Sequence, residues 1–296
     1  MLKELAILAT FLGIIGCTRE TAPNQELALL SKGIKTVEFD RTIRDQSGRF
    51  MALKELIKTS ISEEPAKRYV NKMLDDFENK SGYYKDRGDD NLAEILIEGF
   101  WKDMSISGNG NYDHYKLREY EPPAESSFKG KILGLECKIK GISENQCFRT
   151  DSVQTLSEFI SKRDPINGDN YLGDCDDFAM AMQTSYLLAL EMAEERAKES
   201  KLWDTVANGL YNRPMYIADG DGTNPSISSS PARHNFNLWI DKTNFTVNIL
   251  EPQSFLKKAT PVFENGRFFV EKNSGIKYRI YDLCNLEGCK ALDFSN

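Results

Sequence analysis

The chain has 296 residues and a net charge of −7, from 38 Lys and Arg against 45 Asp and Glu. Hydrophobic residues make up 40% and charged residues 28% of the sequence, which is typical of globular proteins and excludes a mostly disordered chain. Phosphate-binding domains usually carry a basic excess, so we expect no nucleic-acid partner. The sequence has two histidines, His114 and His234, which excludes a histidine-rich metal site, and we expect no metal and no cofactor.

The N-terminus predicts export. An uncharged run from Leu5 to Gly16 is too short to span a bilayer as a helix, which takes about 20 residues. Its length is that of the apolar region of a signal peptide. The run ends in Ile-Ile-Gly-Cys17, which resembles a lipoprotein signal, and in that pattern Cys17 becomes the lipidated first residue of the mature chain. The resemblance implies a signal segment over residues 1–17 and an extracytoplasmic protein held to the membrane by an N-terminal lipid. The alternatives are an ordinary signal peptide with an incidental cysteine, or an uncleaved anchor.

The first part of the mature chain is predicted to be a tether followed by helices. We expect the tether over residues 18–45 and a mainly helical region over residues 46–150. Between Phe50 and Trp101, apolar residues recur at spacings of three and four, which predicts three amphipathic helices. The polar stretch from Gly108 to Glu125 predicts a loop, and we expect His114, which lies in it, at the surface.

The second part, residues 151–296, is predicted to carry two helices and then strands. A short helix should run from Ser152 to Arg163 with Ser152 as its N-cap, and a long helix from about Asp174 to Leu202. Helices that precede antiparallel strands indicate an α+β fold. The predicted strands are Pro214–Ala218, Asn235–Ile240, Thr246–Leu250, the two sides of an Asn265-Gly266 hairpin turn, and Ile276–Leu283.

The cysteines predict two disulfides and one free thiol, because export permits disulfides. Cys284 and Cys289 flank a turn-like segment, and Cys137 and Cys147 bracket a second short loop. Once the lipidated cysteine is set aside, Cys175 is left over, and an odd thiol in an exported protein is a candidate for reactivity. A four-cysteine zinc site is the alternative, but the spacings lack the Cys-x-x-Cys pairs of zinc ribbons.

The stretch from Tyr171 to Ala179 places Cys175 in the first turn of the long helix. Unpaired N–H groups and the helix dipole favour a thiolate there, whereas the three neighbouring aspartates oppose it. A cationic partner is therefore needed, and His234, which opens a later strand, is the available one. Glu251 ends the following strand, and a hairpin would bring its carboxylate beside the imidazole to orient it. We expect the aspartates to cap the helix.

The motif Gly173-Asp-Cys-Asp-Asp-Phe-Ala179 resembles the Gly-Asp-Cys-[Glu/Asp]-[Asp/Glu]-aromatic-Ala motif of the transglutaminase-like cysteine protease superfamily. That family places Cys at a helix start, His on the next strand and Asp on the strand after it, often as Asp-Pro. This chain has Cys175, His234 and Glu251-Pro252 in the same order. It departs from the family in having Glu in place of Asp, and Asn235 in place of a small residue. The resemblance implies a papain-like α+β core, in which the helix that carries Cys packs on an antiparallel sheet.

The resemblance also implies an enzyme that transfers acyl groups through a thioester. Cys175 would be the nucleophile, His234 the general base and acid, and Glu251 the orienting group, acting on a protein or peptide. Both hydrolysis of an amide and transfer to an amine fit these residues. The backbone N–H of Cys175 should help to bind the oxyanion, with Tyr171 or Asn170 as candidates for a second donor.

The alternative function is a catalytically inactive lipoprotein of the same fold. It would act as a binding or scaffolding module, with the helices of residues 50–125 as its contact surface. Residues 219–233 are predicted to be a mobile loop next to the cleft. Asp219 and Asp221 lie in this segment, but no EF-hand spacing follows them, so we do not expect a calcium loop.

Overall fold

The computed structural model describes most of the chain from Lys35 onward. The predictions for Cys17, His114, Cys147, Asn170 and Tyr171 concern residues outside the described part. The described ranges are 35–80, 92–105, 126–139, 141, 152–161, 173–223, 232–242, 246–252, 254–264, 267–271 and 277–293.

Helices precede most of the strands, in an α+β arrangement. The helices are α1 (Leu53–Ser62), α2 (Glu64–Asn79), α3 (Leu92–Met104), α4 (Phe128–Ile139), α5 (Leu156–Ser161), α6 (Cys175–Arg196) and α7 (Lys201–Tyr211). The strands are β1 (Lys35–Phe39), β2 (Thr42–Arg44), β3 (Phe50–Ala52), β4 (Met215–Thr223), β5 (Ala232–Ile240), β6 (Val247–Glu251), β7 (Ser254–Glu264), β8 (Arg267–Glu271), β9 (Lys277–Asn285) and β10 (Gly288–Asp293). None of the helices in the described ranges combines the length and the apolar character needed to cross a bilayer.

Eight strands form one antiparallel sheet in the order β1-β10-β9-β4-β5-β6-β7-β8. Strand β8 also pairs with β9, so the six strands from β9 through β4 to β8 close into a barrel. Closure pairs strand edges that an open sheet would leave bare. Alternate residues of β5 and β9, including Phe236 and Tyr278, pack in one buried apolar cluster of this sheet.

Helix α6 is central to the fold, since it contacts β5 as well as helices α1, α2, α3, α5 and α7. Its residues from Asp177 to Tyr186 are all buried, as expected of a helix enclosed by protein. Two hydrogen bonds tie this stretch to its neighbours: the Thr184 hydroxyl bonds to Ser60 at 3.0 Å, and the Asn237 amide donates to the Ala179 carbonyl at 2.9 Å. The second bond fixes α6 against the strand that carries His234.

The predicted tether is too long, because its last part belongs to the sheet. Strand β1 pairs with β10, with Val37 opposite Ala291, and β2 pairs with β3. The sequence gives little signal for β1, since it is an edge strand whose apolar residues Val37 and Phe39 lie partly in solvent. Met51, assigned to the first helix by its spacing, lies in β3 instead.

The predicted start of the short helix is wrong. Helix α5 begins at Leu156, and the side chains of Thr155 and Glu158 each accept from the other's backbone N–H, at 3.3 and 2.8 Å. This capping box satisfies the first turn. Ser152 lies before it and forms a parallel bridge with Arg44.

The long helix predicted from Asp174 to Leu202 is two helices. Helix α6 ends at Arg196, and α7 begins at Lys201. Trp203 and Leu210 of α7 pack in the same core as α6, and one straight helix could not turn back to fill it. The break between the two helices therefore lets a second apolar face reach this core.

Two further predictions, for the loop before β5 and for the last strand, differ from the observed sheet. The predicted mobile loop over residues 219–233 is wrong at both ends, because β4 continues to Thr223 and β5 begins at Ala232. Each is paired there, with Gly220 opposite His234. The predicted last strand, β9, is followed by a further strand, β10.

The disulfide predicted between Cys284 and Cys289 is confirmed. The two residues face each other on β9 and β10, with Cα atoms 4.0 Å apart and an S–S distance of 2.03 Å. Cys137 is buried and takes part in a disulfide, but its predicted partner Cys147 lies outside the described residues, so that pairing stays a prediction. Cys175 is a free thiol, as predicted.

Candidate active site

A capping box fixes the first turn of α6. The Asp174 carboxylate accepts from the backbone N–H groups of Asp176 at 3.0 Å and of Asp177 at 3.3 Å, and Asp177 accepts from the N–H of Asp174 at 3.0 Å. The predicted capping is confirmed for Asp174 and Asp177 and is wrong for Asp176, whose carboxylate contacts Cys175 and Asn235 instead. Gly173 is needed just before the box, because a Cβ there would lie 2.8 Å from Cβ of Asp177. Cys175 thus occupies the first helical position on a rigid backbone.

Asp177 also ties the helix start to the segment before α5. Its carboxylate accepts from the backbone N–H of Gln154 at 2.7 Å and from the Gln154 side chain at 2.8 Å. Burial raises the pKa of Asp177 to about 7, against these N–H donors, which lower it. Asp177 therefore has a structural role, since it holds the backbone of Asp174 and Gln154 in place beside Cys175.

The thiol of Cys175 is partly buried among polar groups. It donates to the Asp176 carboxylate, with Sγ 3.5 Å from Oδ1, and the backbone N–H of Asn235 bonds to the sulfur. Burial raises the pKa of Cys175, the charges of Asp176 and Asp174 raise it further, and the Asn235 N–H opposes them. In this arrangement the thiol is neutral at pH 7, and a thiolate needs a nearby cation.

His234 and Glu251 lie together on adjacent antiparallel strands, β5 and β6. Nε2 of His234 is 3.5 Å from Oε1 of Glu251, whose side chain is almost fully buried. The ring of His234 packs beside Phe236, with centroids 5.2 Å apart. The carboxylate therefore lies beside the imidazole at ion-pair distance, and Oε1 accepts no hydrogen bond from the ring.

Two residues from distant parts of the chain hold Glu251. The indole N–H of Trp101 on α3 donates to the Glu251 backbone carbonyl at 2.7 Å. The hydroxyl of Tyr278 on β9 hydrogen-bonds to the Glu251 carboxylate. Burial raises the pKa of Tyr278, and the charge of Glu251 and this hydrogen bond raise it further, so the phenol stays a donor at neutral pH. The carboxylate that faces His234 is thus positioned from two elements besides its own.

Asn235 and Arg41 form a chain of hydrogen bonds next to the thiol that the sequence does not predict. The Asn235 amide donates to the Asp176 carboxylate and accepts from Arg41 at 2.7 Å. Arg41, in turn, lies 3.8 Å from Asp282. Asn235 stands out in the sequence because it departs from the motif that the chain resembles. Arg41 lies in the predicted tether, and its neighbouring residues give no indication of a role in the site.

The structure brings the three sequence-predicted catalytic residues together in part. His234 and Glu251 are paired, and Cys175 contacts the residue that follows His234. Within the described ranges, no hydrogen bond joins the thiol of Cys175 to the imidazole, since the thiol donates to Asp176 instead. The candidates for the second oxyanion donor lie outside these ranges.

The start of α6 also carries side chains of the kinds that bind metal ions. The possible ligand atoms of Asp174, Cys175 and Asp176 lie within 4.8 Å of one another. Oδ1 of Asp174 accepts from two backbone N–H groups, and Oδ1 of Asp176 accepts from Asn235. We therefore assign the cluster to helix capping and to contacts with the thiol.

Comparisons with known proteins found no match to the chain among protein-family models, curated proteins or solved structures. The features of the chain that point to a function are therefore its sequence motif and the geometry of Cys175, His234 and Glu251.

Proposed function

We propose that the chain is a transglutaminase-like cysteine enzyme of papain-like fold that transfers acyl groups through a thioester. Cys175 is the nucleophile, His234 the general base and acid, and Glu251 the group that orients the imidazole. One observation carries the proposal: His234 and Glu251 are paired at 3.5 Å on strands that pack on the helix beginning with Cys175.

The chemistry takes two steps. The Cys175 thiolate attacks the carbonyl carbon of a peptide or side-chain amide, and protonated His234 gives its proton to the departing amine. Water or a second amine then attacks the thioester, neutral His234 takes the proton of the attacking group, and the C–S bond breaks to release the Cys175 thiolate beside protonated His234. The backbone N–H of Cys175 is a donor for the developing oxyanion. Hydrolysis and transfer differ only in which nucleophile attacks second.

The charges around the thiol set a condition on this mechanism. Asp174 and Asp176 raise the pKa of Cys175, so the thiolate forms only when a cation offsets them. His234 is the proposed source of this charge, because it directly precedes Asn235, whose backbone N–H bonds to the sulfur, and because the Glu251 carboxylate lies 3.5 Å from its ring. The reactive state is therefore a thiolate–imidazolium pair, which requires the imidazole to replace Asp176 as the partner of the sulfur.

The proposed location follows from the N-terminal sequence. A lipid on Cys17 would hold the enzyme outside the cytoplasm, where the disulfide between Cys284 and Cys289 is stable. Residues 18–34 would then link the anchor to β1.

The rate of alkylation of Cys175 by iodoacetamide at pH 7 tests the proposal. Mass-spectrometric mapping isolates the peptide that carries Cys175 from the other cysteines. We expect the wild-type thiol to react about tenfold faster than a free cysteine, because the ion pair makes it a thiolate. His234→Ala should lose this advantage, while His114→Ala, which changes the other histidine, should keep it. Cys175→Ser should abolish turnover of a peptide amide.

A second candidate, an inactive binding module, is favoured by the hydrogen bond from the thiol to Asp176. In that case the arrangement described here would persist, and the raised pKa of Cys175 would leave it inert. The binding module would be favoured if wild-type Cys175 is alkylated no faster than free cysteine and if His234→Ala leaves this rate unchanged.

A further inference from the structure

Helix α4 has apolar residues on two opposite faces. Its inner face buries Leu133 and Cys137, and Phe50 packs against them. Its outer face exposes four large apolar side chains at spacings of four, three and four, so they form one stripe along the helix. These four residues, which are between 52% and 78% exposed, are Phe128, Ile132, Leu135 and Ile139.

Lysines border this outer stripe on both sides. At 100° per residue, Lys131 and Lys138 fall on one side of the stripe, and Lys129 falls on the other together with Glu136. The three lysines are exposed. Three lysines against one glutamate give the helix a net charge of +2 (3 − 1), although the chain as a whole carries −7.

An apolar stripe between lysines is the pattern of a helix that lies in a membrane interface. Such helices sink their apolar face about 5–10 Å into the boundary between headgroups and acyl chains, and lysines reach outward to the headgroups. A protein partner fits the pattern less well, because lysine is depleted in protein–protein interfaces. We propose that the outer face of α4, from Phe128 to Ile139, docks on an anionic lipid bilayer.

This contact is independent of the proposed catalysis. It would add a second attachment, a basic apolar surface, to the predicted lipid on Cys17. Two attachments would also restrict how the molecule rotates above the bilayer.

A local fluorescence reporter tests the proposal on the full chain. The three tryptophans of the chain, Trp101, Trp203 and Trp239, are all buried. Phe128→Trp therefore introduces a single solvent-exposed tryptophan, whose emission reports on the stripe. Vesicles that contain phosphatidylglycerol should shift its emission to the blue and reduce acrylamide quenching several-fold, whereas phosphatidylcholine vesicles should do so much less. Each lysine removed by Lys131→Gln or Lys138→Gln should weaken vesicle binding about fivefold at low salt.

Glutamates on the stripe provide the decisive variants. Ile132→Glu with Leu135→Glu, in the reporter background, should abolish the shift. Val37→Glu with Phe39→Glu makes the same change on exposed apolar residues of β1 and should leave the shift intact. The N-terminal apolar segment is the same in every variant, and circular dichroism checks that each is folded.

Three results would overturn the proposal. A tryptophan shielded from acrylamide without vesicles, at all protein concentrations, would show that another segment of the chain covers the stripe. Shielding that grows with protein concentration would identify a second copy as the occupant. A shift that survives the two glutamates on α4 would place the membrane contact elsewhere.

Discussion

The start of α6 surrounds Cys175 with carboxylates, whereas β5 and β6 give His234 one buried carboxylate and an aromatic neighbour. The aspartates on α6 raise the pKa of the thiol and keep its proton in place. Glu251, held by Tyr278 and Trp101, places a carboxylate 3.5 Å from the imidazole. The thiol side opposes the reactive ion pair and the imidazole side supports it, so the reactivity of Cys175 reports the balance between them.

Among these variants, the loss of Asp177 should have the largest effect, since Asp177 holds the start of α6 that carries the thiol. Asp177→Ala leaves three N–H donors of Asp174 and Gln154 without their acceptor, so we expect a loss of about 2–4 kcal/mol in the free energy of unfolding. Urea denaturation measures it. Asp76→Ala, an exposed change on α2, should cost under about 0.5 kcal/mol.

The pH dependence of that loss sharpens the comparison. The raised pKa of Asp177 means that the folded state binds a proton more tightly than the unfolded state. Its contribution to stability is therefore fully present below about pH 4 and is lost as the pH rises through about 7. The difference in stability between wild type and Asp177→Ala should shrink from pH 5 to pH 8. A difference that grows over this range would contradict a raised pKa.

Loss of the Tyr278 hydroxyl should weaken the imidazole side. Tyr278→Phe keeps the ring in the barrel but removes a donor to the Glu251 carboxylate, so the imidazole loses part of its anionic support. A hydrogen bond to a charged group is worth about 1.5–3 kcal/mol, so the His234-dependent part of the alkylation rate should fall about tenfold or more.

Two variants separate this effect from a general loss of stability. Tyr186→Phe removes another buried hydroxyl, which bonds to the Leu210 carbonyl at 3.1 Å, and should leave the alkylation rate unchanged. In a Glu251→Gln background, Tyr278→Phe should have little further effect on the rate. An equal loss in both backgrounds would mean that Tyr278 acts other than through Glu251.

Neutralising Asp176 should have the smallest effect, and in the opposite direction. Asp176→Asn can still accept from Asn235 through its amide oxygen, but it removes a negative charge beside the thiol. The pKa of Cys175 should fall, and alkylation at pH 7 should accelerate a few-fold. Asp76→Asn is the control for a change in net charge. A slower reaction in Asp176→Asn would mean that this carboxylate assists the thiol.

Local sequence patterns predicted the parts of the site that lie on one element. The Asp-rich motif around Cys175 indicated a helix start, and the structure has the capping box there. The Asn265-Gly266 dipeptide indicated a hairpin, and β7 and β8 pair on either side of it. The sequence also carries the signature of the capping box, Thr155-x-x-Glu158, but Ser152 resembles an N-cap as well, and the two cannot be told apart by sequence alone.

The remaining parts depend on contacts between residues far apart in the chain. Trp101 reaches Glu251 across 150 positions, and Arg41 reaches Asn235 across 194. Tyr278 meets Glu251 only because the barrel closes. Periodicity and capping signals act within one or two turns of chain, so they carry no information on which strands become neighbours.

The pairing of β1 with β10 has a consequence for the order of folding. Phe39 and Cys289 are partners in this pairing, although 250 positions separate them (289 − 39). Closing so long a loop is entropically costly unless the intervening chain is already compact. We therefore expect strand β1 to be added to a sheet that has formed without it. Arg41, directly behind β1, should then reach Asn235 in the same late event, which would complete the polar contacts around the thiol near the end of folding.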